Sequence, residues 1–364
     1  MLAVFALIAF ACIQGCRAAS GNALPAGVSP GGNSSDLSIT LSDGDVRKYL
    51  LHIPKNYDSN EPTGLLFVYN GRGSDNAHTE SFTKFSQRNY NPDWIVVYPQ
   101  GTSDQKDEDV WQGDPNADAD DVGFTLELLD DLLDTYAIDQ SRIYAAGMSN
   151  GGGFVGNYLA CDPDASKRFA AYGAVSAAYY QFTDASRRRC DGDTVDITCD
   201  NGGTKVALLD IHGGNDDTIP YAGGYRRSAC LPSVPHFVAS WAERNGMDTA
   251  NQTSKVDHGH ATHYTFGEGE AEGMVQSYYV PTLSHAWASG SNGEVLKATD
   301  VLMDFFNEWT FEKGQRAADT LPNTTSSGGK KGGGKHSGAS DGFHLDAWLL
   351  ALALSTGPVF LDFW

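Results

Sequence analysis

Apolar residues in this chain gather into short, nearly unbroken runs instead of alternating with polar ones. Residues 65–70, 94–99, 142–147, 170–176, 205–212 and 275–280 each read as a strand covered on both faces. Helical stretches at 122–136, 151–160, 234–245 and 299–309 are interleaved with them. Strands taking turns with helices predict an α/β protein with a mostly parallel central sheet and helices on both faces. Ahead of this region, β-rich runs at 37–41 and 46–53 flank the turn Ser42-Asp43-Gly44-Asp45, so a hairpin is expected, ended by Pro54.

The ends read differently. Residues 1–11 are almost wholly apolar, and the small residues Ala18 and Ala19 precede a polar stretch, the outline of a secretory signal peptide over 1–19. Residues 20–36, rich in Gly, Pro and Ser, predict an extended arm. The folded domain is expected over 37–312. A Gly, Ser, Thr and Lys tract follows as a linker over 313–342, with too little apolar surface to fold. Residues 343–364 are apolar again, and small residues at 337–339 before that tail outline a GPI-attachment signal, interrupted by Asp346, Pro358 and Asp362.

Charge and cysteines narrow the setting. A formal charge of −21 over 364 residues repels phosphate backbones, which argues against nucleic acid as a partner. Membrane attachment is expected only through the GPI anchor. With Cys12 and Cys16 removed in the signal, Cys161, Cys190, Cys199 and Cys230 remain, an even set that predicts two disulfides in an oxidising compartment, with three pairings open. Acceptor sequons at Asn33, Asn251 and Asn323 fit an extracellular glycoprotein.

The chemistry begins at Gly147-Met148-Ser149-Asn150-Gly151. A serine on a sharp strand-to-helix turn presents its hydroxyl above a sheet, and the flanking glycines let strand and helix approach. The chain contains a second match, Gly27-Val28-Ser29-Pro30-Gly31, but it sits in the arm with no strand before it. Placement therefore selects Ser149. A hydroxyl needs a base to take its proton and an acid to orient that base. Asp216 stands just past the strand 205–212 and is the expected acid, with Asp217 as competitor. His285, in a loop just after the strand 275–280, is the expected base. The order Ser, Asp, His is that of α/β-hydrolases.

Two amides should receive the oxyanion: that of Asn150 at the helix start, and that of Arg72, or next Gly71, in the bend Asn70-Gly71-Arg72-Gly73. His258, His260 and His263 read as a solvated hairpin rather than a metal site. The run 104–121, with eight acidic residues and one Lys, lacks calcium-loop spacing and reads as a solvated loop leading to a helix whose start Asp120 and Asp121 favour.

The stretches 120–154, 212–227 (HGGNDDTIPYAGGYRR), 230–246 and 283–290 (LSHAWASG) resemble fungal feruloyl esterases of carbohydrate esterase family 1, related to polyhydroxybutyrate depolymerases. The likeness runs from about residue 37 to 309. It implies a secreted serine esterase that cleaves feruloyl (hydroxycinnamoyl) esters on plant cell-wall polysaccharides through an acyl-enzyme on Ser149, Asp216 and His285. No metal or cofactor is needed in that family, and a monomer is expected. Where many relatives carry His-Gly, this chain has Asn70-Gly71. The family also holds acetyl xylan esterases and polyester depolymerases, which leaves the acyl group open; a wall-anchored binding protein is the non-enzyme alternative.

Overall fold

The computed structural model describes residues 24–25, 27–104, 106, 108–182, 190–290 and 296–321. The expected signal peptide, the linker beyond 321 and the apolar tail lie outside the described residues. No helix among the described residues is long and apolar enough to cross a membrane.

The first elements are the strands β1 (Ser35–Thr40) and β2 (Val46–His52), paired antiparallel as the hairpin pattern predicts. Then come β3 (Thr63–Tyr69), the helix α1 (Asn76–Thr83) and β4 (Ile95–Pro99), followed by the two-residue strands β5 (Thr102–Ser103) and β6 (Asp109–Val110). The middle of the chain supplies α2 (Asp121–Thr135), β7 (Ile138–Met148), α3 (Asn150–Phe154), β8 (Ala171–Val175) and β9 (Ala207–Gly213). A small hairpin, β10 (Gly224–Arg226) and β11 (Ala229–Leu231), precedes α4 (Val234–Arg244). The strands β12 (Gln252–Val256), β13 (Ala261–Phe266) and β14 (Val275–Val280) and the helices α5 (Ala298–Glu308) and α6 (Phe311–Asp319) close the fold.

Ten strands form one sheet in the order β1-β2-β4-β3-β7-β8-β9-β14-β13-β12. Its six central strands, β4 to β14 in that order, run parallel, and antiparallel pairs finish both edges. β3, β4, β8 and β9 are buried along almost their whole length, which is why they read as continuous apolar runs. Tyr69 of β3 hydrogen-bonds Thr125 of α2 on one face, and Tyr144 of β7 stacks on Phe306 of α5 on the other. The helices follow their local signals. α2 buries Thr125, Leu128, Leu129 and Leu132 along one stripe and is capped by the Asp120 carboxylate on the Gly123 amide. α4 is capped by Ser233 with Pro235 in its first turn.

Several expectations need correction. The arm is not free of the fold: Val28 is buried in the main core, and the Gly31 amide donates to Ile53 O at 2.9 Å. The boundary at 312 falls inside α6, which tucks Ala317 and Ala318 into the core, so the folded part extends to about residue 319. The helix expected over 151–160 is one α-turn followed by a π-helix over Val155–Leu159. α1 went unread because its eight residues bury only Thr79 and Thr83.

The disulfides join Cys161 to Cys199 and Cys190 to Cys230, with Cα separations of 4.9 and 5.3 Å. Their chain separations of 38 and 40 residues correspond to about 4 kcal/mol each of denatured-state entropy removed.

Candidate active site

β7 delivers the chain to Ser149, whose backbone has φ 53° and ψ −119°, a strained conformation for a residue with a side chain. Three hydrogen bonds hold it there: its N–H donates to Val175 O (3.0 Å), and its carbonyl accepts from Gly153 N (2.9 Å) and Ala178 N (2.9 Å). The glycines of the motif answer a steric demand. A Cβ on Gly147 would lie 2.4 Å from Gly151 O, and one on Gly151 would lie 2.4 Å from Asn70 O. Backbone on both sides leaves nothing free to move aside. Gly147→Ala is therefore expected to lower stability by about 3 kcal/mol or more; an unchanged urea midpoint would show the turn to be looser than this.

The other two groups arrive from adjacent parallel strands. β9 and β14 pair side by side, so the loops after them emerge together. Gly214 N donates to Val280 O (2.9 Å) and Asn215 N to Leu283 O (3.1 Å), lacing the Asp216 loop to the His285 loop. Ser176 Oγ, just past β8, donates to Ala286 O (3.1 Å) and fixes the far side of the histidine. The three side chains meet: His285 Nε2 is 2.9 Å from Ser149 Oγ, and His285 Nδ1 is 2.8 Å from Asp216 Oδ2.

Asp216 and Asp217 now differ sharply. The Asp216 carboxylate is fully buried, and its Oδ1 accepts from the amides of Thr218 (2.9 Å) and Ile219 (2.7 Å). Burial works to raise its proton affinity, but the hydrogen bonds from His285 and the Ile219 amide outweigh it and hold the carboxyl below the ordinary range. It stays ionised while a histidine can act as base. Asp217 is exposed.

The expected oxyanion donors flank the serine. Asn150 opens α3, so its amide has no intrahelical acceptor. The Gly71–Arg72 bend lies against the serine: a Cβ on Gly71 would be 3.4 Å from Ser149 Cβ. Asn70 braces this bend by donating from Nδ2 to Gly71 O (2.9 Å) and Ser74 O (2.8 Å).

The acidic run overturns its sequence reading as a solvated loop. Asp104 and Asp114 are buried and clamp the Arg72 guanidinium at 2.6 and 2.8 Å, with Glu108 at its edge. Although burial works the other way, the hydrogen bonds from Arg72 and from the Lys106 and Glu108 amides hold Asp104 well below the usual carboxylate range. Asp121, at the start of α2, pairs with Arg47 at 2.7 Å in the core and is pushed up by burial against that pull. The same loop carries Trp111, whose N–H donates to Asn150 Oδ1 (2.7 Å) and whose Nε1 donates to Asn70 O (3.0 Å). The loop thus ties both expected oxyanion segments together. Local spacing offered no signal for it, because the partners lie 32 to 42 residues away.

Ser29, of the second motif match, sits among turns well before β2 and takes no part in the cluster. His263 bonds Gln276 (2.8 Å) and stacks on Tyr278. No group of three or more potential ligands for a metal ion occurs among the described residues. A cavity of about 600 Å³ lies beside the π-helix, lined in part by Gln112, Leu126, Tyr158, Phe182 and the Cys161–Cys199 bridge, and none of Ser149, Asp216 or His285 borders it.

Such a cluster can do one kind of chemistry well. A hydroxyl bonded to an oriented imidazole, beside two backbone segments able to receive negative charge, attacks an electrophilic carbonyl and holds the resulting oxyanion.

No protein-family model matches the chain. Over 202 residues it is 28% identical to a probable feruloyl esterase C of Aspergillus niger, an alignment covering 54% of this chain and 65% of that one. Feruloyl esterase C of Emericella nidulans is likewise 28% identical over 202 residues, with the same coverage. A bifunctional acetylxylan esterase/xylanase of Neocallimastix patriciarum is 24% identical over 295 residues, covering 79% of this chain and 37% of that protein. The matches thus span less than two thirds of these relatives' own lengths. Among solved structures, an acetyl xylan esterase from Aspergillus awamori superposes with a TM-score of 0.54 at 15% identity, over 76% of this chain and all of that one. That likeness, with the sheet order above, shows the α/β-hydrolase fold.

Proposed function

We propose that this protein is a secreted serine esterase that hydrolyses feruloyl (hydroxycinnamoyl) esters of plant cell-wall polysaccharides. The reading is carried by the unbroken relay from Ser149 Oγ through His285 to buried Asp216, at 2.9 and 2.8 Å. Ser149 Oγ attacks the ester carbonyl carbon as its proton passes to His285 Nε2. Asp216 keeps the other ring nitrogen protonated and stabilises the imidazolium. The amides of Asn150 and Arg72 receive the charge on the former carbonyl oxygen. Collapse breaks the bond to the sugar oxygen, which leaves with the proton from His285. Water then repeats the sequence on the acyl-serine and releases the acid.

The feruloyl group is favoured because two of the similar proteins described above carry feruloyl esterase names. Charge suits an ester of either acyl group: a neutral ester approaches a surface of −21 freely, whereas the carboxylate product is repelled from it. Secretion through residues 1–19 is supported by the two disulfides, which persist in oxidising compartments. Asn33 and Asn251 are exposed and open to glycosylation, and residues 337–364 supply the proposed GPI signal. The second reading, an acetyl xylan esterase, is favoured by the fold match and by the Neocallimastix relative.

Purified protein assayed side by side on methyl ferulate, acetylated xylan and a polyhydroxybutyrate film is expected to turn over methyl ferulate with the highest kcat/KM. Preference for acetylated xylan would move the assignment to the second reading. Absence of turnover on every ester, with wild type matching Ser149→Ala, would leave only a binding role.

A further inference from the structure

Behind Asp216 the sheet buries a second polar group that the triad chemistry does not use. Asp210 and His212 lie two residues apart on β9, hence on one face of the strand, and Ser277 is the register partner of Asp210 on β14. Asp210 and His212 are fully buried, and Ser277 nearly so. Asp210 Oδ2 accepts from Tyr179 Oη at 2.7 Å, and Tyr179 stacks face to face on Phe237 of α4. Three side-chain atoms in this cluster, Asp210 Oδ1, His212 Nδ1 and Ser277 Oγ, are buried without a protein hydrogen-bond partner. Polar atoms buried in a core without partners are costly, and these three fall in one cluster.

The cluster reaches the active site through His212. Its Nε2 lies 2.8 Å from Ile219 O, an acceptor only, so Nε2 carries the hydrogen. The same Nε2 stands 3.5 Å from Asp216 Oδ2, the oxygen that meets His285. Ile219, in turn, donates its amide to the other oxygen of Asp216. His212 therefore grips the turn that aims the carboxylate and places its N–H dipole beside the working oxygen. The other titratable side chains on this side are Tyr221, edge-on to His212, Tyr279 of β14, which packs on Tyr221, and Tyr264 of β13, the register partner of Ser277.

We propose that His212 is a positioning residue for the Asp216–His285 pair, and that the charge of buried Asp210, two residues before His212 on the same strand face, acts on that pair through space. The proposal rests on the esterase reading. Burial pushes the Asp210 carboxyl up to about 6, against the opposing pull of His212 and the Tyr179 hydroxyl. A negative charge at Asp210 favours positive charge elsewhere in this cluster, and a neutral side chain there does not.

The test uses p-nitrophenyl acetate, an activated ester indifferent to acyl preference, together with the rate at which a fluorophosphonate labels Ser149. His212→Leu removes the donor at similar bulk and is expected to lower kcat at least tenfold with KM within twofold. His212→Gln restores a donor towards Ile219 O and is expected to recover most of the loss, which packing alone would not explain. Asp210→Asn keeps the shape and the Tyr179 contact, and is expected to move the acid limb of the kcat/KM profile to lower pH by about half a unit or more. Equal labelling and kcat in wild type and His212→Leu, or an acid limb unmoved in Asp210→Asn, overturns the proposal while leaving the esterase standing. Should His212→Leu fail to fold, the Asp210→Asn profile decides. A wild-type protein that neither labels at Ser149 nor turns over the ester overturns both readings together.

Discussion

Replacing Ser149 with alanine is expected to lower kcat for ester hydrolysis by about 10⁵-fold or more, while the protein keeps its fold. Without the hydroxyl no acyl-enzyme forms, and His285 is left to activate water towards a carbonyl held only by the amides of Asn150 and Arg72. Such donors sustain about 10³- to 10⁴-fold over the uncatalysed reaction, so a small residue of activity should persist. The substitution leaves the strain at φ 53° in place, because alanine also carries a Cβ, and it spares the backbone bonds to Val175, Gly153 and Ala178. The thermal midpoint should consequently match wild type to within a few degrees. Steady-state kinetics alongside a melting curve make the measurement. Substantial turnover in a folded Ser149→Ala protein would place the nucleophile elsewhere.

Asp216→Asn is expected to cost about 10⁴-fold in kcat, with Asp217→Asn staying within a few-fold of wild type. The reason is the direction of one hydrogen bond. Ionised Asp216 accepts from His285 Nδ1–H, which leaves Nε2 free to take the serine proton. An asparagine that turns its amide group to the ring donates instead, moves the ring hydrogen to Nε2 and blocks that step. Its carbonyl can meanwhile still accept from the Thr218 and Ile219 amides, so the turn survives. Exposed Asp217 makes only a 3.5 Å contact with the Thr218 hydroxyl and has no route to the imidazole. If Asp217→Asn abolishes turnover and Asp216→Asn does not, the acid has been misassigned.

What could be read in one dimension was whatever leaves a local mark. The strands of the parallel core are apolar end to end because both faces are covered, so their places, and with them the fold class, stood out before any coordinates. Ser149 was separable from Ser29 because only one of the two matching motifs follows a buried strand. Asp216 and His285 were legible as polar residues just past the ends of β9 and β14. Other features left no such mark. α1 buries only two of its eight residues, and α6 carries on past the point where the composition turns polar.

The strands of the parallel core, the turn at Ser149 and the even cysteine set were legible in the sequence alone, since each depends on neighbours a few residues apart. Only the tertiary structure decided which cysteines pair, which aspartate faces His285, and that Asp104, Asp114 and Asp121 are buried partners of Arg72 and Arg47 instead of a solvated run. Those outcomes turn on through-space charge and hydrogen bonding between residues 32 to 74 positions apart, and a carboxylate in a sequence looks the same whether water or a guanidinium will face it.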